Sequence, residues 1–143
     1  MKKNYILVST LLFMVVIVSC TATKNGSNNN LYNSIWELEY ISGTRIAFDG
    51  LYPDKKPVIS FNQTTGKITG NNSCNGYSAD FKIDGNSITI GEPGPSTMMY
   101  CGDGEPQFLN MMKKINAFSL DKEGRLNLMI GEIPMMRFKK IKE

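Results

Sequence analysis

Tyr77-Ser78-Ala79-Asp80-Phe81-Lys82-Ile83, followed by Asp84-Gly85-Asn86 and then by Ser87-Ile88-Thr89-Ile90, is the stretch that decides the fold class. Apolar side chains fall on every second residue from Tyr77 to Ile83, which sets them on one face of a strand. Asp84-Gly85-Asn86 has the composition of a tight turn, and the alternation resumes after it, so the two runs read as a β-hairpin.

The same pattern extends outward in both directions. Ile35-Trp36-Glu37-Leu38-Glu39-Tyr40-Ile41 carries large apolar residues at 36, 38 and 40 with glutamates between them, a half-buried strand. Residues 42–56 hold Gly43, Gly50, Pro53 and the adjacent charges Asp54, Lys55 and Lys56, and read as a loop. Pro57-Val58-Ile59-Ser60-Phe61 and Lys67-Ile68-Thr69-Gly70 flank Asn62-Gln63-Thr64-Thr65-Gly66, a hairpin connection ending on glycine. Further on, Ala117-Phe118-Ser119-Leu120 turns at Glu123-Gly124 into Arg125-Leu126-Asn127-Leu128-Met129-Ile130, and Met135-Met136-Arg137-Phe138-Lys139-Lys140 forms a last strand. Short strands joined by frequent turns predict an antiparallel sheet that curls on itself.

One segment has a different period. Phe108, Met111, Met112 and Ile115 stand at i, i+3, i+4 and i+7, one face of a helix running from about Pro106 to Ile115. Pro106 suits a first turn, and Asp103 and Glu105 before Lys113 and Lys114 match the helix dipole. A helix this short needs tertiary support, so its Phe/Met face is expected to dock on the sheet. The fold class is therefore α+β: a curved, barrel-like antiparallel sheet packed with one short helix.

The N-terminus reads as a targeting segment. Met1-Lys2-Lys3 is a positive lead, and Tyr5 to Val18 is an apolar run too short to span a bilayer comfortably. It closes on Ile17-Val18-Ser19-Cys20, which resembles a lipobox, with Cys20 as the lipidated residue. The polar stretch after Cys20, Thr21 to Asn30, reads as a flexible tether. The expected organisation is a lipoprotein signal peptide over 1–19, a lipidated N-terminus and linker over 20–32, and one domain over 33–143. No aspartate follows Cys20, which points to the outer membrane, with the domain facing the periplasm.

Loss of Lys2 and Lys3 with the signal lowers the formal net charge from +3 to +1. That balance gives no basic face for nucleic acid. The chain contains no histidine, which removes the commonest general base and metal ligand. Cys74 and Cys101 are the other cysteines. Outside the cytoplasm such a pair usually bonds, and a structural bridge within about 4.4–6.8 Å of Cα separation, mostly buried, is expected. Two buried free thiols, or a redox pair, are the competing readings; an accessible bond would be the reactive kind. Zinc has too few ligands here. Clustered methionines can bind Cu(I), but core filling is the better account, followed by an apolar binding cleft formed by Met98, Met99, Phe108, Met111 and Met112. Asn71-Asn72-Ser73-Cys74-Asn75 reads as a turn whose side chains satisfy backbone groups rather than as a nucleophilic loop. Arg137, Lys139, Lys140 and Lys142 read as a charged guard on a sheet edge, with contact to anionic headgroups as the alternative.

Trp36-x-Leu38-x-x-Ile41-x-Gly43 resembles the opening strand of the META domain family, which includes the heat-shock lipoprotein HslJ. The resemblance continues through Pro57-x-Ile59-x-Phe61, Ile68-x-Gly70, Cys74-Asn75-x-Tyr77, Thr97-Met98-Met99-Tyr100-Cys101 and Glu105-x-x-Phe108. Ser73 and Ala79 stand where the family often has glycine, and Tyr100 where it often has alanine. The resemblance implies a barrel-like fold and a link to stress tolerance, antibiotic resistance and the cell envelope, with no agreed biochemical activity. The expectation is a non-enzymatic binding factor with no cofactor, no catalytic residue and no metal. Its partner would be an envelope protein or apolar ligand, besides the membrane reached through Cys20. The alternative is a small envelope enzyme using Cys74 and Cys101 for thiol chemistry.

Overall fold

The computed structural model describes residues 30–32 and 34–142; the lipobox and Cys20 lie outside the described residues. Eight strands form a closed barrel in simple sequential order: β1 (Ile35–Ile41), β2 (Val58–Asn62), β3 (Lys67–Asn71), β4 (Gly76–Asp84), β5 (Ser87–Ile90), β6 (Ala117–Leu120), β7 (Leu126–Ile130) and β8 (Ile133–Lys142). Every neighbouring pair is antiparallel, and β8 returns to pair with β1. Two helices lie between strands, α1 (Phe48–Leu51) and α2 (Gly104–Met112).

Alternation builds the interior. Trp36, Leu38, Ile59, Phe61, Ile68 and Phe138 are essentially inaccessible to solvent, and Phe61 meets Phe81 edge to face at 5.3 Å between ring centroids. The alternation expected through Tyr40 does not hold. Register shifts between Leu38 and Tyr40, so Leu38 pairs with Phe138 and Tyr40 with Arg137. That bulge swaps the faces: Ile41 goes inside and Tyr40 outside, under the Arg137 guanidinium at 5.6 Å.

The basic final strand guards no edge, because closure leaves β8 paired on both sides. Two of its charges are matched across the β1 seam instead: Arg137 Nε donates to Glu39 at 2.7 Å and Lys139 Nζ pairs with Glu37 at 2.9 Å.

Residues just before 33 pack on the barrel as well. Leu31 is fully buried, its carbonyl accepts from Trp36 Nε1 at 3.1 Å, and Tyr32 lies against Phe81. An open barrel end exposes apolar side chains, and this segment covers one of them.

α2 starts two residues before Pro106 and stops at Met112, short of the expected Ile115. Pro106 still falls in the first turn, where an N–H has no intrahelical partner to lose. Phe108, Met112 and Ile115 are buried as a face against the barrel, and Phe108 meets Tyr77 edge to face at 5.3 Å. α1 occupies part of the segment read as loop, and Leu51 and Tyr52 at its end are buried.

Two glycines allow the closest approaches. At Gly70 a Cβ would overlap the Val58 carbonyl oxygen across the β2–β3 ladder. At Gly104 a Cβ would overlap the Leu51 carbonyl oxygen and the Tyr52 ring, so only glycine lets α2 sit against α1. The Tyr52 hydroxyl donates to the Gly104 carbonyl at 2.9 Å, and burial pushes that phenol well above its ordinary range.

Candidate functional site

Successive connections of an up-and-down barrel alternate between its two ends. The β1–β2 link with α1, the β3–β4 turn, the β5–β6 link with α2 and the β7–β8 turn therefore share one end. Leu31 and Tyr32, just before β1, pack at the other. This topology brings residues 71–76 against residues 91–105, in contacts that span 20 to 33 positions of sequence.

The β3–β4 turn is organised by its own asparagines. Asn71 Oδ1 accepts from the Ser73 N–H at 3.0 Å, and Asn72 Oδ1 accepts from the Asn75 N–H at 2.8 Å. Asn72 N–H donates to the Asn75 carbonyl at 3.0 Å, closing the turn. Ser73 takes φ 88°, a region glycine occupies far more readily; among the described residues it is the one non-glycine with positive φ.

The same asparagines reach outward. Asn72 Nδ2 donates to Glu105 Oε1 at 2.6 Å, and Asn75 Nδ2 donates to Glu105 Oε2 at 2.8 Å. Asn75 Nδ2 also donates to the Met99 carbonyl at 2.8 Å, while its Oδ1 accepts from Thr97 Oγ1 at 2.6 Å and from Met99 N–H at 3.0 Å. Asn72 and Asn75 are almost wholly buried, and no buried side-chain polar atom among the described residues lacks a partner. Glu105 sits in the first turn of α2, where the helix dipole favours its charge. Its two oxygens each hold an amide, an arrangement that orders the turn.

Residues 91–103 form no helix or strand, yet much of the segment is tied down along β4. Gly91 and Gly94 N–H groups donate to the Asp80 and Ser78 carbonyls at 2.8 Å each, and Ser96 Oγ donates to the Gly76 carbonyl at 2.6 Å. Glu92 pairs with Lys113 at the end of α2 at 2.7 Å. Cys74 and Cys101 are bonded, with 5.6 Å between their Cα atoms. The bond is not buried as expected: Cys101 is exposed and Cys74 partly so. The segment carrying Cys101 lies at the surface beside α2, and among the described residues nothing buries Cys101.

Between this segment and the outer side of α2 runs a groove of about 510 Å³, lined by Pro93, Met99, Tyr100, Pro106 and Leu109 with Asn75, Glu105 and Lys113. Met98 is 99% exposed, Met99 61% and Tyr100 81%, so three consecutive large apolar side chains project from a backbone that is partly pinned.

The structure divides the methionine set expected to form one apolar face. Met98 and Met99 are at the surface, whereas Phe108 and Met112 are core and Met111 packs partly against it. The reason is the helix phase: positions 108 and 112 point into the barrel, so Leu109 rather than Phe108 faces the groove. Sequence reading also missed Asn75 and Glu105 as partners, and missed Tyr100 and Leu109 as groove residues. The density of asparagine around Cys74 and the bulky Tyr100 were the available signals.

A closed eight-strand meander, plugged at one end by its N-terminal segment and at the other by a helix held to a disulfide-bonded turn, defines a small all-antiparallel barrel domain with a surface groove. The META domain family model matches residues 29–142, and the chain belongs to that family. The solved structure described as "NMR structure of the protein from Burkholderia xenovorans" has a similar fold, with a TM-score of 0.62 at 19% identity. That match covers 80% of this chain and 86% of the other. No curated protein matches the sequence.

Proposed function

We propose that this META/HslJ-type chain is a non-enzymatic envelope lipoprotein that binds an extended, apolar segment of another envelope protein, in stress or antibiotic tolerance or in envelope assembly. The observation that carries the reading is the display of Met98, Met99 and Tyr100 from a segment whose Thr97 and Met99 are held by Asn75. A backbone already held at Met99 has less freedom to lose on binding, which favours the apolar side chains it carries as anchors. The occupant lies along the outside of α2, not between helix and sheet, where Phe108 and Met112 leave no space.

The rest of the site supports binding over chemistry. Glu105 is engaged by Asn72 and Asn75, and the two cysteines are bonded to each other rather than held as thiolates. Lipid on Cys20 would hold the chain in the outer membrane through the segment at the opposite barrel end. The groove would then be left clear of the anchor.

The test is site-specific photocrosslinking in intact cells, with the photoreactive residue at Met99 or, as control, at Lys122 in the exposed β6–β7 turn. The expected result is a discrete protein adduct from position 99, absent from position 122 and lost with Tyr100→Ser. No adduct at 99, or the same adduct from both positions, overturns the reading.

A further inference from the structure

The hydrogen bonds of residues 91–103 are unevenly distributed. Up to Met99 the segment is held to β4 and to Asn75 at six points. Beyond it, among the described residues, no hydrogen bond ties Tyr100, Cys101 or Gly102 to the rest of the fold, and ties resume where Asp103 accepts the Gln107 N–H at 3.3 Å. The bond from Cys101 to Cys74 is the tether of that limb, and the limb carries Tyr100, which lines the groove. Both cysteines are accessible in part, Cys101 more than Cys74, whose sulfur lies 3.1 Å from the Met99 carbonyl.

We infer that the Cys74–Cys101 bond is a redox latch: a dithiol reductant opens it in the folded protein and releases Tyr100 to Gly102, while Met99 stays pinned by Asn75. A thiolate of the reductant attacks Cys101 Sγ, forming a mixed disulfide and expelling Cys74 as thiolate. The reductant's second thiol then displaces Cys101. The two electrons reside on the cysteine pair, the reductant becomes a disulfide, and its two thiol protons end on Cys74 and Cys101. The barrel does not depend on this bond, because its eight strands are closed by backbone pairing and the turn is held by Asn72, Asn75 and Glu105. The inference stands on this bonding pattern; the docking reading adds only what the latch would gate.

The experiment uses the full-length oxidised protein treated with dithiothreitol without denaturant. Alkylation and mass spectrometry follow the thiols, limited chymotrypsin cleavage after Tyr100 follows the limb, and hydrogen exchange follows the barrel. Reduction is expected while the far-ultraviolet circular dichroism stays unchanged. Cleavage after Tyr100 should accelerate about tenfold or more, while amides of β3, β4 and the Phe108 region stay protected. Three outcomes overturn the inference: a bond that resists until global unfolding, reduction that leaves cleavage after Tyr100 unchanged, and exchange rising across the whole barrel. A Cys74→Ser, Cys101→Ser double variant should reproduce the reduced pattern. Its failure to fold would count against a local latch.

Discussion

Asn75 donates its side-chain amide to Glu105 Oε2 at 2.8 Å, and that contact joins the β3–β4 turn to the first turn of α2. The same nitrogen serves the Met99 carbonyl, so one amide orders turn, loop and helix together. An isosteric change of chemistry at this position exposes how much rests on donor polarity.

Asn75→Asp replaces that donor with a carboxylate oxygen facing Glu105 and the Met99 carbonyl. Buried acceptors without a donor cost about 1–3 kcal/mol each, and the like charges add to this, so a loss of about 3 kcal/mol at neutral pH is expected. In the variant, loss of the amide donor and repulsion from a neighbouring carboxylate raise the folded pKa of the introduced carboxyl above its unfolded value. The deficit is therefore complete above that raised pKa and shrinks as pH falls toward the ordinary carboxylate range near about 4. Urea unfolding of both proteins at neutral and mildly acidic pH measures it; a small or pH-independent loss would mean that the network contributes little.

Phe108→Ala removes a ring that is fully buried between α2 and Tyr77. Truncations of this kind cost about 3–5 kcal/mol through lost transfer energy and the cavity left behind. Denaturant titration should show the midpoint falling with little change in slope. A loss below about 1 kcal/mol would make α2 peripheral to the fold.

Cys20→Ala tests the proposed lipid anchor at a position outside the described residues. Membrane attachment by acyl chains scales with the buried methylenes, so removal of the acceptor should release the chain to the soluble fraction. Fractionation with a high-salt wash reads the outcome. Retention of the variant in the membrane would rule out lipid on Cys20 as the attachment.

How much was legible depended on whether a feature is local. Alternation at Trp36 and Leu38, at Tyr77 to Ile83 and at Ser87 to Ile90 marks strands by itself, because side-chain period is a property of one segment. The swap at Tyr40 and Ile41 was not legible, since a bulge depends on the register β1 adopts against β8. α1 is four residues long and shows no period to read. In the site, Asn72 and Asn75 were readable as turn formers, but their bonds to Glu105 follow from barrel topology, which puts alternate connections at one end. Exposure of Cys101 likewise depends on where the 91–103 segment crosses the surface, a matter of tertiary path.

Ser73 offers the sharpest test of the turn. Its φ of 88° places a Cβ-bearing residue in a region that costs about 1–3 kcal/mol, and its N–H is held there by Asn71 Oδ1. Glycine removes that strain but adds freedom to the unfolded chain, an opposing effect of about 0.4–1 kcal/mol. The strain is the larger of the two, so Ser73→Gly should raise stability by about 0.5–1 kcal/mol. Ser73→Ala keeps the Cβ and should gain nothing, which separates backbone relief from loss of the hydroxyl. Equilibrium unfolding of the three proteins with the disulfide intact decides it. A destabilised glycine variant would show that the turn holds Ser73 without strain.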